Sequence, residues 1–493
     1  MLTRRMILGG LLAGVAMPAL GESVERSLRP KLRPASIGSA ASSTGGVSQA
    51  DVEGMIPEAK LGGEVAFVLA DGVTGQLLAS RNPDLPLPPA SVAKTVTSLF
   101  ALEMLGAGFR FKTRVLATGP VSGGIVQGDI VLAGGGDPTL QTDQLGDLLA
   151  QLAKDGLKGA TGRFLYWDGA LPQLDAIADD QPDHVGYNAA ISGLNLNFNR
   201  AYFEWKKSGS DWHCTVDARG DRFLPVVEMV EVSVAKRDAP LFTYKRGKVE
   251  KWTVASAALG KDGSRWLPVR DPGAYVAEVF RTLARAQGIK LDRADRVEVL
   301  PKGTELGRVE SEDLPDLLQD MLKFSTNLTA ECVGLASSGQ SGLKASAKAM
   351  TDWVAQVFGV DFDMHDHSGL GGSSRVTAAG MARMLVQAER EKRGLKPILK
   401  EVGMKDDKGN LVEGSKVKVL AKSGTLNFVS ALAGHIVPPV GRELVFAIFT
   451  GDPERRDAVP VAQREEPEGG HAWTKRARRL QGQLINRWAG AYG

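Results

Sequence analysis

The sequence predicts an α+β protein, on three observations. Apolar strand patterns lie near both ends, at Glu64 to Ala70 and in three runs between Lys418 and Thr450. Helical spacing recurs between Ala274 and Ala336. Residues 119–269 mix strand-like and turn-rich segments, with no fixed repeat. The chain has 493 residues, of which 43% are hydrophobic and 24% charged, so it carries apolar material for more than one core. A length of about 150 residues per domain allows about three units. Lys and Arg total 60 against 57 Asp and Glu, and a net charge of +3 leaves no polycationic footprint for nucleic acid. Aromatic residues are only 6% while Gly numbers 58, a composition suited to tight turns and loops.

Taken in order, Met1 to Arg5 is short and basic and Met6 to Ala19 is apolar, ending near the small residues Ala19 and Gly21. That layout predicts a signal peptide over residues 1–21, export and a periplasmic location. Thr3 to Leu8 resembles the twin-arginine pattern, and the Sec route is equally open. The apolar run is shorter than the roughly 20 residues a membrane span needs, so no integral span is expected after cleavage. Residues 22–50, with Pro30, Pro34 and many Ser and Gly, lack the apolar surface to offset ordering entropy and read as a disordered linker. Cys214 and Cys332 lie 118 positions apart and form no disulfide framework; Cys332 falls in a helical pattern and reads as core.

Glu64 to Ala70, a turn at Asp71 to Gly75, and Gln76 to Ser80 read as a hairpin. Pro83, Pro86, Pro88 and Pro89 stop the sheet, and Ala90 to Leu105 has Val92, Val96, Leu99, Leu102 and Leu105 at helical spacing. Gly124 to Leu132 is β-like, Leu140 to Leu152 helical, and Val226 to Val234 a strand. Asp271 and Pro272 open a helix from Ala274 to Gly288. Helices at Leu314 to Leu322 and Leu328 to Ala336 flank Phe324 to Asn327. Strands follow at Lys418 to Ala421, Val429 to Ile436 and Glu443 to Thr450, then a helix from His471 to Trp488. Its Arg476, Arg478 and Arg479 read as a solvated face.

A serine hydroxyl becomes a nucleophile when a nearby base takes its proton, and a lysine held partly neutral can be that base. Ser and Lys three apart on a helix share a face. The spacing occurs at Ser91/Lys94, Ser233/Lys236, Ser341/Lys344 and Ser415/Lys418, so context must choose. Ser233 ends an alternating run, where residues three apart face oppositely. Ser341 lies in a Gly-rich turn, and Ser415 leads into a strand. Only Ser91 opens a strong helix behind a proline-stiffened turn, where the helix dipole favours a developing alkoxide. Ser-x-Asn occurs at Ser325/Asn327 and at Ser80/Asn82, the latter ending the hairpin. Lys-Ser-Gly occurs at Lys207, in a polar segment, and at Lys422, where Lys422 to Thr425 interrupt a strand and Gly424 permits close approach of a ligand.

The ordered set Ser91-Val92-Ala93-Lys94, Ser325-Thr326-Asn327 and Lys422-Ser423-Gly424-Thr425 resembles the three motifs of penicillin-recognising serine enzymes. The gap of 231 positions between Lys94 and Ser325, with Gly134 to Leu140, Gly193 to Asn199 and Asp366 to Leu370, is similar to the D-alanyl-D-alanine carboxypeptidase/endopeptidase family, the class C low-molecular-mass penicillin-binding proteins. The resemblance runs from about residue 55 to the C-terminus. The family usually has Thr where Ser423 stands and Gly where His367 stands.

The resemblance implies a β-lactamase/transpeptidase-like domain, an antiparallel sheet flanked by helices, formed by residues 51–118 and 270–493 and split by an accessory insertion at 119–269. It further implies attack by Ser91 on the penultimate D-alanine of peptidoglycan stem peptides, with Lys94 as base. Ser325 would relay a proton to the leaving amine, and Asn327 would hold the substrate amide. Lys422 would supply positive charge and order Ser325, Ser423 and Thr425 would bind the substrate carboxylate, and the amides of Ser91 and Thr425 would form the oxyanion hole. β-Lactams would trap the same serine. No cofactor is implied: His365, Asp366 and His367 sit on a loop without a companion metal motif, His213 beside Cys214 is weaker, and Gly134 to Gly136 lack the Lys and Ser/Thr of a phosphate loop. The alternative is a catalytically idle protein of the same fold that binds or scaffolds the wall.

Overall fold

A computed structural model describes residues 49–406 and 409–492. The expected signal peptide, its paired arginines and linker residues 22–48 lie outside the described residues. The last two residues of the expected linker open the helix Gln49–Ala59.

The chain is α+β. Its central sheet has six antiparallel strands in the order Lys400–Val402, Lys418–Leu426, Val429–Val437, Leu444–Gly451, Glu64–Asp71, Leu77–Arg81. Alternation sorts its side chains into two cores. Ala66, Val68, Ala70, Val445, Ala447 and Phe449 pack with the helices Ala93–Leu105, Leu314–Phe324, Leu343–Phe358 and Ala378–Arg390 on one face. Val65, Phe67, Leu69, Leu444, Phe446 and Ile448 pack with Trp473, Leu480, Leu484 and Trp488 of the helix Gly470–Tyr492 on the other. Both faces are covered, which is why Leu444–Gly451 is buried at every position and reads as one continuous apolar run.

Elsewhere a five-stranded mixed sheet runs Asp295–Arg296, Phe164–Trp167, Ile130–Ala133, Lys112–Ala117, Thr304–Glu310. Two three-stranded sheets centre on Arg200–Ser208 and Glu250–Ala255. They share a core with the helices Thr142–Lys154 and Pro272–Ala286, in which Val115 and Phe280 join Leu145, Phe164 and Phe203. Elements on both sides of 119–269 therefore pack with that segment. A further apolar cluster joins Leu171, Ile177 and Ile191 to Leu328, Cys332 and Leu335 of the helix Asn327–Ser338.

Three local expectations shift. The helix expected from Ala90 is a 3₁₀ turn, Ala90–Val92, followed by an α-helix, Ala93–Leu105, because Ala90 takes a left-handed φ of 45° behind two prolines. Lys422 to Thr425 do not interrupt their strand; they lie within Lys418–Leu426, paired to Val429–Val437 without a break. The strand expected at Val226 to Val234 is Val230–Ala235, and Ser233 is exposed on it. Cys214 and Cys332 are both free thiols.

Candidate active site

Three segments from distant parts of the chain meet. The 3₁₀ turn carries Ser91, half-buried, and the following helix begins one residue before Lys94, which is fully buried. Lys94 Nζ donates to Ser91 Oγ at 3.0 Å, Asn327 Oδ1 at 2.8 Å and the Ser368 carbonyl at 2.8 Å. Three acceptors thus fix the amine against the serine. Ser325 caps the helix Leu314–Phe324 with a left-handed φ of 60°, a conformation that ends the helix and turns the chain into the next. Lys422 Nζ donates to Ser325 Oγ at 2.9 Å and to the Ser423 carbonyl at 2.7 Å.

Gly424 holds the strand against the serine turn. A Cβ there would stand 2.7 Å from the Ser91 nitrogen and 2.8 Å from the Pro89 carbonyl oxygen. Alternation places Lys422 and Gly424 on one face, while Ser423 and Thr425 are exposed on the other. The edge partner Lys400–Val402 pairs only with Val419 to Ala421, so the edge from Ser423 onward is open to an extended peptide.

Burial sets the electrostatics. It lowers Lys94 to about 8, against a partly opposing pull from Glu331 and Asp366. It lowers Lys422 further, to about 6, with the charges of Lys94 and Lys400 adding to the effect. Burial and the neighbouring amines thus work against the positive charge expected on Lys422. Beneath Lys94 lie two buried carboxyls. Glu331 accepts the amides of His367 and Ser368, and Asp366 accepts those of Gly369 and Gly371. Burial pushes both acids up, and the charge of Asp366 adds to the rise at Glu331.

The His367 departure has a structural counterpart. Its buried ring lies where a Cβ on Gly334 would sit, 2.1 Å from Cγ, and Nε2 bonds Ser346 Oγ at 2.7 Å. Gly369, with φ 72°, passes so close to the Ala90 carbonyl that only glycine fits. The His367 loop is thereby clamped between the Ala90–Val92 turn and the helix Asn327–Ser338. His365 is exposed and contacts Asp363, and among the described residues no group of three or more His, Cys, Asp or Glu could hold a metal ion.

Several participants were absent from the sequence reading. Glu331 sits four residues past Asn327, one helical turn, which is the signal that would have found it. Tyr187, from within residues 119–269, accepts at its carbonyl from Asn327 Nδ2 at 3.0 Å. Asn195, in the Gly193 to Asn199 motif, bonds the Asp137 carbonyl at 3.3 Å and approaches Cys332 Sγ at 3.8 Å, tying that motif to the Asn327 helix. Asn82 bonds the Val65 carbonyl within the hairpin and is distant in role from the site.

Fold and site together define a protein of the penicillin-recognising serine class, with a Ser–Lys pair between a sheet edge and a helical layer. Residues 48–467 match the model of the D-Ala-D-Ala carboxypeptidase 3 (S13) family, and the chain belongs to that family. It is 27% identical over 481 residues to the D-alanyl-D-alanine carboxypeptidase of Actinomadura sp. (strain R39), covering 88% of this chain and 87% of that protein. It is 26% identical over 459 residues to the D-alanyl-D-alanine carboxypeptidase DacB of Haemophilus influenzae, covering 85% and 92%. The crystal structure of penicillin binding protein 4 (dacB) from H. influenzae shares the fold, with a TM-score of 0.70 at 22% identity over 89% of this chain and 99% of that one. Among the described residues no helix is long and apolar enough to cross a membrane.

Proposed function

We propose that this protein is an exported serine D-Ala-D-Ala carboxypeptidase or D,D-endopeptidase that cleaves peptidoglycan stem peptides through an acyl-enzyme on Ser91. The observation that carries the proposal is the pair of contacts Lys94 Nζ to Ser91 Oγ, 3.0 Å, and Lys422 Nζ to Ser325 Oγ, 2.9 Å. Lys94, in its neutral form, takes the Ser91 proton as Oγ bonds the carbonyl carbon of the penultimate D-alanine. The oxyanion accepts from the amides of Ser91 and Thr425, which the absence of a side chain at Gly424 allows to converge. As the C–N bond breaks, Ser325 passes its hydroxyl proton to the leaving amine and recovers one from Lys94, which carries the proton taken from Ser91, while Lys422 holds the Ser325 oxygen in place. Asn327 orients Lys94 and the substrate amide, and Ser423 and Thr425 receive the carboxylate. Water then cleaves the ester and returns Ser91.

The likeness to H. influenzae penicillin binding protein 4, whose structure is also known complexed with a β-lactam, supports the reading that β-lactams acylate Ser91. The central sheet, built from segments early and late in the chain, supports one catalytic domain interrupted by an accessory insertion, with Lys112–Ala117, Pro272–Ala286 and Thr304–Glu310 packed into the core of the insertion and not of the catalytic domain. A fluorescent penicillin tests the proposal: wild type labels and Ser91→Ala does not. Equal labelling, or none in wild type, overturns it and favours the idle scaffold. Digestion of monomeric and cross-linked muropeptides then assigns carboxypeptidase or endopeptidase activity.

A further inference from the structure

We infer that Arg478, on the C-terminal helix, is the charged group that recognises the carboxylate beside the scissile bond. This rests on the proposed peptidase function and specifies its substrate. A substrate whose leaving amine sits on a carbon bearing a carboxylate brings a full negative charge to Ser423 and Thr425, and hydroxyls alone leave that charge without a counter-ion. Lys422 does not provide one. The residue is 2% exposed, its amine is directed at Ser325 and the Ser423 carbonyl, and burial works against its charge.

Arg478 does have the position. Its Nη2 donates to Thr425 Oγ1 at 3.1 Å, and both side chains are exposed. The residue lines a hollow of about 200 Å³ between the strand and the C-terminal helix, whose wall includes Ser423, Gly424 and Gln481. Among the described residues Arg478 has no ion pair with an acidic side chain. A guanidinium carries five N–H donors in a planar fork, so one bond to Thr425 leaves the others free for a carboxylate. The same contact orients the Thr425 hydroxyl, so the arginine and threonine form a composite receptor. Helical spacing alone marks Arg478 as solvated; its side chain reaches Thr425, one residue past the Gly424 that packs against the serine turn.

The test compares hydrolysis of diacetyl-L-Lys-D-Ala-D-Ala with that of its C-terminal carboxamide. The reading expects the ratio of their kcat/KM values to fall about tenfold in Arg478→Gln, chiefly through KM of the acid, and to be partly restored in Arg478→Lys. Thermal melting of each variant separates loss of fold from loss of recognition. An unchanged ratio in folded Arg478→Gln, or a wild type that hydrolyses both substrates equally, overturns the assignment while leaving the peptidase function intact. Failure of wild type to label with penicillin removes the function itself.

Discussion

Gly424→Ala is the sharpest perturbation of the site that leaves every proposed catalytic side chain in place. The added methyl would lie 2.7 Å from the Ser91 nitrogen, 2.8 Å from the Pro89 carbonyl oxygen and 2.9 Å from the Ala90 Cβ. Ordinary contact begins at 3.4 Å, so the gap between strand and nucleophile turn must open by about 0.7 Å. The first two atoms are backbone, and neither can rotate aside. Overpacking of this kind costs about 1–3 kcal/mol, which a thermal melt reads. The larger effect is on rate, because the same displacement separates the two amides proposed to hold the oxyanion; loss of one such donor costs about 10²–10³. Stopped-flow acylation by a fluorescent penicillin should therefore slow by that factor in a protein that still melts cooperatively. Acylation within about threefold of wild type would refute the convergence of Ser91 and Thr425 as the oxyanion site.

Lys94→Ala should abolish acylation with the fold retained; normal acylation kinetics would refute its role as base. Because the base acts when neutral and Lys94 is held at about 8, acylation kcat/KM should rise with pH below that value, close to tenfold per unit, and level off above it; a flat profile from pH 6 to 8 would place the base elsewhere. His367, held neutral down to about 3 by burial, bears on acid stability. The unfolded chain binds a proton below about 6.5 and the native chain does not, so this group leaves stability unaffected at neutral pH and removes up to about 1.4 kcal/mol per unit as pH falls. His367→Gly should shrink the difference between urea melts at pH 7 and pH 5 by about 2 kcal/mol; an unchanged difference would assign the acid loss to other groups.

Much of the site was legible because chemistry limits which residue types can stand in order. Four Ser-x-x-Lys spacings occur, and the ones at Ser233 and Ser341 are excluded by features visible in sequence, an alternating run and a glycine turn. The strands at 64–71 and 444–451 were legible as unbroken apolar runs because both faces of the sheet are covered. Contacts made by position alone were not. The Ser368 group that binds Lys94 is a backbone carbonyl, which any residue could supply. Gly424 suggested an interrupted strand, whereas its lack of a side chain answers to the turn packed against it. Arg478 lies on the polar side of an amphipathic helix, and periodicity reports that side without reporting what borders it. The short strands Phe164–Trp167 and Lys112–Ala117 went unseen because pairing across the chain, and not local pattern, defines them.

The order of the central sheet has a consequence for synthesis. Val65 pairs with Thr450, 385 positions later, so the first strand made waits for one of the last. Contacts so distant in sequence carry a large loop-closure cost and form slowly. Meanwhile the hairpin of Glu64–Asp71 and Leu77–Arg81 offers an unpaired edge, a hazard for association between nascent chains. The nascent chain also carries Ser91 and Lys94 long before it carries Lys422, Gly424 or the amide of Thr425. Until the strand Lys418–Leu426 has been made and has folded against the Ser91 turn, the proposed nucleophile lacks the partners that would arm it.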